Sequence, residues 1–232
     1  MTYLSLVQDL WRESGASGTS PGPPAVAGQT GEFARLVAWI AAAWTDIQGA
    51  HTDWDFMRAS ASFTTVAGTS TYTLGTGAGT VGVTAANFGQ WDRNTARAYL
   101  TATGTDDEQF LDYISYDEWR DTYLLGTLRG TNVRPLVFSI SPAKAICLPP
   151  ALTGYTVTID YFTAPVVLSA DADEPTLPAH FQIAIVYRAL MMYGAYESAS
   201  EVYNRGELEF GKLMRRMTAD RLPEIRFAGA LA

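Results

Sequence analysis

The chain has 232 residues and a formal net charge of −8, with 47% apolar and 17% charged residues. This length allows one elaborated domain or two small ones, and the 16 scattered basic residues argue against a surface that grips nucleic acid. A single cysteine, Cys147, excludes an intrachain disulfide framework and is typical of a reducing cytosol. The first residues lack the basic and apolar regions of a signal peptide, and no stretch predicts a membrane span.

Two amphipathic helices are predicted at the start of the chain. Residues 2–14 place large apolar side chains at helical spacing, and the glycine- and proline-rich residues 15–24 predict a connector. Thr30 is expected to cap the second helix, whose apolar stripe runs over residues 33–47. Residues 1–58 are therefore predicted to form the N-terminal helices of a bundle.

The sequence period changes after the second helix, and residues 59–177 predict an inserted β domain. Segments rich in Thr, Tyr and β-branched residues predict strands at 59–66, 71–74, 95–101, 109–114, 136–140, 145–148 and 155–162. A capping-box pattern at Ser115 predicts a short helix within this region. Its inner face is expected to carry Trp119, Tyr123 and Leu124. We expect the strands to pair mainly antiparallel.

The segment 178–196 predicts the central helix, because its apolar residues cover every side. Pro178 suits the first helical turn, because proline lacks a backbone N–H and the N–H groups of this turn have no acceptor within the helix. Gln182 and Arg188 argue against a bilayer, in which a central arginine costs about 2.5 kcal/mol or more. We expect this helix to pack against the stripe of residues 33–47.

The last helix is predicted to begin at a second capping-box pattern, at Ser198, with basic residues gathered near its C-terminal end. Residues 178–221 are thus predicted as the C-terminal helices of the bundle, and residues 222–232 as an extended tail. The whole chain predicts an α+β fold: a helical bundle built from N- and C-terminal helices, with an inserted, mainly antiparallel β domain.

Two patterns resemble ligand sites but lack the context that such sites need. Residues 77–82 match G-x-G-x-x-G, yet a β-branched, glycine-interrupted segment follows where a dinucleotide site needs a helix. Asp171, Asp173 and Glu174 suggest calcium, but Pro175 breaks the EF-hand pattern. A loop of the β domain and a solvated acidic turn are the better interpretations.

The remaining candidates for chemistry are also weak. His51 and Asp53 lie two residues apart, but the second histidine is distant and no cysteine joins them, so they do not predict a zinc site. Cys147 falls within a predicted strand and is interpreted as a small buried hydrophobe. We therefore expect no enzyme activity, no cofactor, and no catalytic or metal-binding residues.

Four features of the organisation carry a family resemblance over nearly the whole chain. They are the helix pair with Gln29-Thr30-Gly31-Glu32 and Trp44-Thr45-Asp46-Ile47-Gln48, the segment Tyr113-Ile114-Ser115-Tyr116-Asp117-Glu118-Trp119-Arg120, the strand 155–162 leading to Pro165, and Glu174-Pro175-Thr176-Leu177-Pro178 opening Tyr187-Arg188-Ala189-Leu190. This organisation resembles the head-to-tail adaptor (connector) proteins of tailed bacteriophages.

The resemblance implies a structural virion protein in the phage neck, synthesised in the host cytoplasm. It implies a homo-oligomer, a dodecameric ring beneath the portal protein, whose lower face receives a downstream tail or neck protein. The family is non-enzymatic, so no catalytic residues are carried over. Six Trp and twelve Tyr suit the large contacts between ring subunits. An acidic ring would let DNA pass through the lumen without specific binding, because adhesion to phosphate comes from Lys and Arg.

The C-terminal tail is the predicted partner-binding segment, since the resemblance implies that it docks on the portal. The residues expected to bind are Arg221, Leu222, Ile225, Arg226 and Phe227. So few apolar side chains cannot offset about 1–2 kcal/mol of backbone entropy per residue, so we expect the tail to order only on assembly. A frayed chain end is the competing interpretation.

Two other classes of function stay open at this point. One is a virion-associated carbohydrate-binding or host-recognition module, for which Tyr72, Trp91 and Tyr99 would form an exposed aromatic platform. The other is an enzyme of a type without a sequence signature. Burial of the three aromatic residues in a core would argue against the first class.

Overall fold

The computed structural model of the protein describes residues 1–15, 22–130, 133–151 and 154–222. The chain divides into two compact units, a helical unit of residues 1–57 and 165 onward, and a β unit of residues 58–164. Helices at both ends and an inserted, mainly antiparallel β region confirm the predicted α+β fold. The α-helices are α1 (Tyr3–Glu13), α2 (Gly31–Gly49), α3 (Tyr116–Trp119), α4 (Ile183–Tyr196) and α5 (Ser200–Arg221).

Helix α4 is the centre of the helical unit. It packs against α1, α2 and α5, and its residues Ala184, Ile185, Val186, Ala189 and Leu190 are fully buried. The buried stripe of α2 joins the same core, so the two predicted stripes do pack together. The helix begins later than predicted, because residues 179–181 form a 3₁₀ turn before it.

Helices α4 and α5 approach closely at two glycines. A Cβ atom on Gly206 would lie 3.0 Å from the carbonyl oxygen of Tyr187, and one on Gly194 would lie 2.7 Å from the backbone nitrogen of Tyr203. Any larger residue would force the helices apart. The predicted capping box at Ser198 is wrong, because Ser198 adopts a left-handed φ of 56° in the turn between the helices.

Residues 165–177, which the sequence assigned to the β domain, pack with the helices instead. Their backbone holds the first turn of α1, since the Tyr3 N–H donates to the Asp173 carbonyl at 2.7 Å. The Gln48 side chain bonds both backbone groups of Val166, at 2.8 and 3.0 Å. Leu168 and Leu177 are buried in the helical core. The burial of these two leucines places residues 165–177 with the helices, although the segment directly follows a strand.

The β unit contains nine short strands within the described residues. They are β1 (Arg58–Thr64), β2 (Thr71–Tyr72), β3 (Phe88–Trp91), β4 (Arg97–Leu100), β5 (Gln109–Phe110), β6 (Asp112–Tyr113), β7 (Val137–Ile140), β8 (Ile146–Cys147) and β9 (Tyr155–Thr163). One sheet has the order β1-β9-β4-β5, with β3 also on β9, and the other has the order β2-β8-β7-β6. All pairs are antiparallel except β6 with β7.

The predicted strand at 109–114 is split between the two sheets and joins them. The Leu111 N–H donates to the Ala96 carbonyl on the β4 side, and the next N–H, of Asp112, donates to the Leu136 carbonyl on the β7 side, both at 2.9 Å. Successive N–H groups of a strand point to opposite edges, so this segment bonds to β4 on one edge and to the β7 side on the other. Side chains from both sheets line one core.

The sequence did not predict β3, because Gly89 interrupts its strand pattern. The glycine has a structural reason here: a Cβ atom at this position would lie 2.8 Å from the Phe162 carbonyl oxygen. The pairing with β9 shifts register between Phe88 and Gln90 at the same point. The close approach of the β3 and β9 backbones thus requires glycine at position 89, and the same glycine interrupts the strand pattern in the sequence.

An ion pair between Asp107 and Arg134 gives the β unit an expected pH dependence. The Arg134 Nη1 donates to the Asp107 carboxylate at 2.8 Å, and the Leu100 N–H donates to it at 3.1 Å. These bonds, that of Arg134 first, lower the pKa of Asp107. The stabilisation is therefore complete above the unfolded pKa of about 3.9 and is lost as pH falls through the lower folded value.

We expect Asp107→Asn to unfold at a lower urea concentration than the wild type at pH 7, with the difference shrinking at pH 2.5. Urea titrations at both pH values measure this. Asp106→Asn is the matched control, because Asp106 is an exposed neighbour. A difference for Asp107→Asn that stays the same at both pH values would contradict the assignment.

Candidate interaction surfaces

The end of α5 carries the two predicted partner-binding residues that the structure describes, Arg221 and Leu222. The Arg221 Nη1 donates to the Asp55 carboxylate at 3.3 Å. Leu222 is half-buried and packs against the helical core. These contacts fasten the end of α5 to its own unit. Ile225, Arg226 and Phe227 lie outside the described residues, and partner binding by the five residues stays a prediction.

A basic face precedes this end of α5. Lys212, Arg215 and Arg216 are exposed and line a shallow depression of about 560 Å³. The Lys212 ammonium pairs with Glu209 at 2.6 Å. In a chain of net charge −8, this concentration of positive charge offers a local match for an acidic partner surface.

A groove of about 460 Å³ lies between α2, α4 and α5, and is called here the α2–α5 groove. Ala50, Phe210 and Met214 give it an apolar lining. Its charged side is one ion pair, in which Arg188 donates to Asp46 Oδ2 from Nη2 at 2.8 Å and from Nε at 3.1 Å. The Arg188 guanidinium also lies 5.9 Å from the centre of the Phe210 ring. The sequence interpreted Arg188 only as an argument against a bilayer.

Three leucines, Leu124, Leu125 and Leu128, are exposed on the segment that follows α3, and together they are called here the leucine tip. Helix α3 begins as predicted, with the Ser115 Oγ accepting the Glu118 N–H at 3.3 Å. After α3 the chain continues in a π turn (Arg120–Leu124) and a 3₁₀ turn (Thr127–Gly130). The expectation that Leu124 faces inward is wrong, since the helix is short and only Trp119 is buried.

The glycine-rich residues 75–82 form part of the β unit. The Gly75 N–H donates to the Val83 carbonyl at 2.7 Å, and the Thr80 hydroxyl donates to the Gly77 carbonyl at 2.6 Å. Val81 and Val83 are buried in the β core. A 3₁₀ turn and then β3 follow, where a dinucleotide site would need a helix. This loop therefore closes the core of its unit.

The acidic residues 171–174 form a turn that backbone hydrogen bonds hold in place. Backbone N–H groups of Ser169 and Ala170 donate to the Asp173 carboxylate at 2.7 and 2.8 Å. These bonds, with that of Ala170 contributing most, lower the pKa of Asp173. The Asp171 carboxylate accepts the Val26 N–H at 2.7 Å. Within the described residues, no group of three or more His, Cys, Asp or Glu side chains is placed to hold a metal ion.

Cys147 is buried, and burial raises the pKa of its thiol to about 11. The thiol is therefore protonated at neutral pH and unreactive as a nucleophile. This agrees with its interpretation as a small buried hydrophobe.

The aromatic residues considered for a carbohydrate platform do not form one. Tyr72 is 0% exposed and Trp91 is 7% exposed, both within the β core. The Tyr72 hydroxyl accepts the Val66 N–H at 3.0 Å, and the Trp91 Nε1 donates to the Lys144 carbonyl at 2.8 Å. Their polar atoms are thus used inside the fold. Tyr99 is half-buried, and the other two residues considered for the platform, Tyr72 and Trp91, are buried.

Sequence reasoning missed both the leucine tip and the α2–α5 groove. The tip has a signal: three leucines within residues 124–128, on either side of Gly126, are more than a two-turn helix can bury. The groove has no such signal in the sequence, because its lining comes from three helices that are distant in sequence.

Across the described ranges, no helix is long and apolar enough to cross a membrane.

A family model described as SU10 adaptor protein matches residues 1–229 of the chain. The match covers both compact units. Among curated proteins, no sequence matches the chain.

Proposed function

We propose, because the chain belongs to the SU10 adaptor protein family, that it forms a ring between the portal and the tail of a bacteriophage. The family is one of phage head-to-tail adaptors, so the resemblance seen in the sequence is confirmed. The protein has the role of a structural phage adaptor, and the family is not an enzyme family. The whole-length family match is the observation that carries the proposal.

The proposed ring contains twelve copies and lies in the neck of the virion. Its upper side contacts the portal protein, and its lower side receives a downstream tail or neck protein. The chain is synthesised in the host cytoplasm and joins the head there. Support for extensive contacts comes from the exposed leucine tip and from the α2–α5 groove, since apolar surface of this kind on a soluble chain marks interaction sites.

The proposed lumen conducts DNA without binding it. The net charge of −8 supports this role, because an acidic wall repels phosphate. Three exposed basic residues, Lys212, Arg215 and Arg216, lie together on one face of α5. We place that face away from the lumen, where it contacts an acidic surface of a partner protein.

The proposed portal contact is the segment from Arg221 to the end of the chain, with Ile225 and Phe227 as anchors. The first two residues of this segment support the proposal. Arg221 and Leu222 are held against the helical unit, so the rest of the segment starts from a fixed position. A fixed origin raises the effective concentration of the anchors at a nearby site.

Mixing the purified protein with the portal assembly of the same phage tests the proposed function. Mass photometry is expected to show one new species, heavier than the portal by twelve chains of 25.2 kDa. A portal mass that stays unchanged at saturating protein would contradict the adaptor ring. A discrete complex with another number of copies would contradict the dodecamer alone.

A further inference from the structure

We propose that the leucine tip of one copy packs into the α2–α5 groove of a neighbouring copy, as the lateral contact of the ring. The inference rests on the proposed function, because it names the surfaces through which copies of the chain join. It is carried by an apolar protrusion, an apolar groove and one pair of opposite charges.

The protrusion is held in shape before it meets a partner. The Leu125 N–H donates to the Arg120 carbonyl at 2.9 Å, which closes the π turn. A Cβ atom on Gly126 would lie 2.5 Å from the Asp121 carbonyl oxygen and 2.7 Å from that of Thr122, so this tight turn requires glycine. Leu125 is nevertheless 65% exposed at the end of this turn. A preformed apolar protrusion loses little conformational entropy when it is buried, which favours association.

The lining of the α2–α5 groove suits an incoming apolar segment. Phe210 and Met214 supply apolar surface that the core only partly covers. Gly49 and Ala50 are small and exposed, so they leave room for incoming side chains. The Asp46–Arg188 pair lies at its charged side. An apolar centre with a polar rim is the usual arrangement of a protein interface.

A second copy of the chain is the occupant that symmetry favours. A closed ring is built from heterologous contacts, in which each copy offers two different, complementary surfaces. The leucine tip is an exposed apolar segment and the α2–α5 groove a concave, partly apolar surface, and both lie on the same chain. Both are therefore present at every contact in a ring of identical copies.

Charge complementarity supports the same pairing. Arg129 is exposed directly after Leu128, and in the part of the chain that the structure describes no ion pair involves it. Asp46 keeps 46% of its side chain exposed although it pairs with Arg188. Arg129 on the tip and Asp46 at the rim of the groove are thus exposed groups of opposite charge, and opposite charges at a rim help to fix the orientation of partners.

Disulfide trapping between two batches of protein tests the contact. One batch carries Ala50→Cys and the other Leu125→Cys, and the two are mixed on the portal and mildly oxidised. Cys147 stays silent because it is 1% exposed. A covalent dimer is expected from the mixture and from neither batch alone, since a disulfide needs Cα atoms within about 7 Å. Ala50→Cys mixed with Leu208→Cys is the matched control and is expected to give none.

A second variant tests the energetic role of the tip. Leu125→Asp with Leu128→Asp is expected to fold normally, because both side chains are exposed, and to assemble on the portal at least tenfold more weakly. Leu208→Asp changes an equally exposed leucine on α5 and is expected to assemble like the wild type.

The outcomes separate this inference from the proposed function. If the wild type fails to join the portal, the proposed function itself is contradicted. If the wild type assembles while the mixed batches give no dimer and the double variant assembles normally, the tip–groove contact is overturned. If the double variant forms complete rings that fail to recruit the tail, the tip faces a tail protein, which also overturns the inference.

Discussion

Truncation of the chain after Pro223 is expected to leave a folded protein that no longer joins portal-containing heads, so that particles stall without tails. The fold is expected to survive because α5 is fastened before this point, by the Arg221–Asp55 pair and by Leu222, which packs against the helical core. Assembly is expected to fail because the removed residues include the apolar anchors Ile225 and Phe227. The yield of infectious particles from a complemented deletion phage measures the effect.

Point variants in the full-length chain distinguish the anchors from the tail as a whole. Ile225→Ser with Phe227→Ser is expected to reproduce the truncation, because both anchors lose their apolar side chains. Leu231→Ser removes an apolar residue of the same segment and is the matched control, with yields expected near those of the wild type. Full infectivity of the truncated protein would leave a frayed chain end as the better account of this segment.

Replacement of Trp44 or Leu190 by alanine is expected to cost roughly 2–5 kcal/mol of unfolding free energy. Both residues are within 1% of complete burial, on α2 and α4, where the two apolar stripes meet. Trp44 also stacks on Phe56 with ring centres 6.2 Å apart, so its removal leaves a cavity that cannot close without moving this ring. Urea denaturation followed by circular dichroism at 222 nm measures the loss.

Leu208→Ala is the control for these core variants, because Leu208 is 58% exposed on α5. Its unfolding free energy is expected to stay within about 0.5 kcal/mol of the wild-type value. Trp44→Phe is expected to lose less than Trp44→Ala, since it keeps a ring in the core and removes a buried indole N–H that finds no partner among the described residues. Wild-type stability of both alanine variants would show that the helical core is assigned wrongly.

The helices were predictable from the sequence because each carries a long apolar stripe at a single period. Helix α2 and the buried side of α4 follow from this pattern within a few residues. Caps were less predictable: Ser115 caps α3 as expected, whereas Ser198 does not cap α5. The turn that brings α5 back onto α4 is tight, and it places Ser198 in a left-handed conformation that local sequence does not specify.

The strands were less predictable, because strand pairing depends on partners that are far away in sequence. The segment 109–114 reads as one strand, but its alternating N–H groups find carbonyls of β4 on one edge and of β7 on the other. Gly89 lowers the strand propensity of β3, although close approach to Phe162 is what requires glycine there. The leucine tip was misread for a related reason, since the inner face of a two-turn helix depends on what covers it.

The sequence by itself determined the α+β class, the family and the absence of any recognisable catalytic pattern, because periodicity, composition and short phrases are local properties of the chain. The placement of residues 165–177 with the helices was decided only by the tertiary structure, since Leu168 and Leu177 are buried among side chains of other elements. The exposure of the leucine tip and the shape of the α2–α5 groove were decided there too. Both depend on which surfaces of the folded chain stay exposed, and contacts between residues that are distant in sequence decide this.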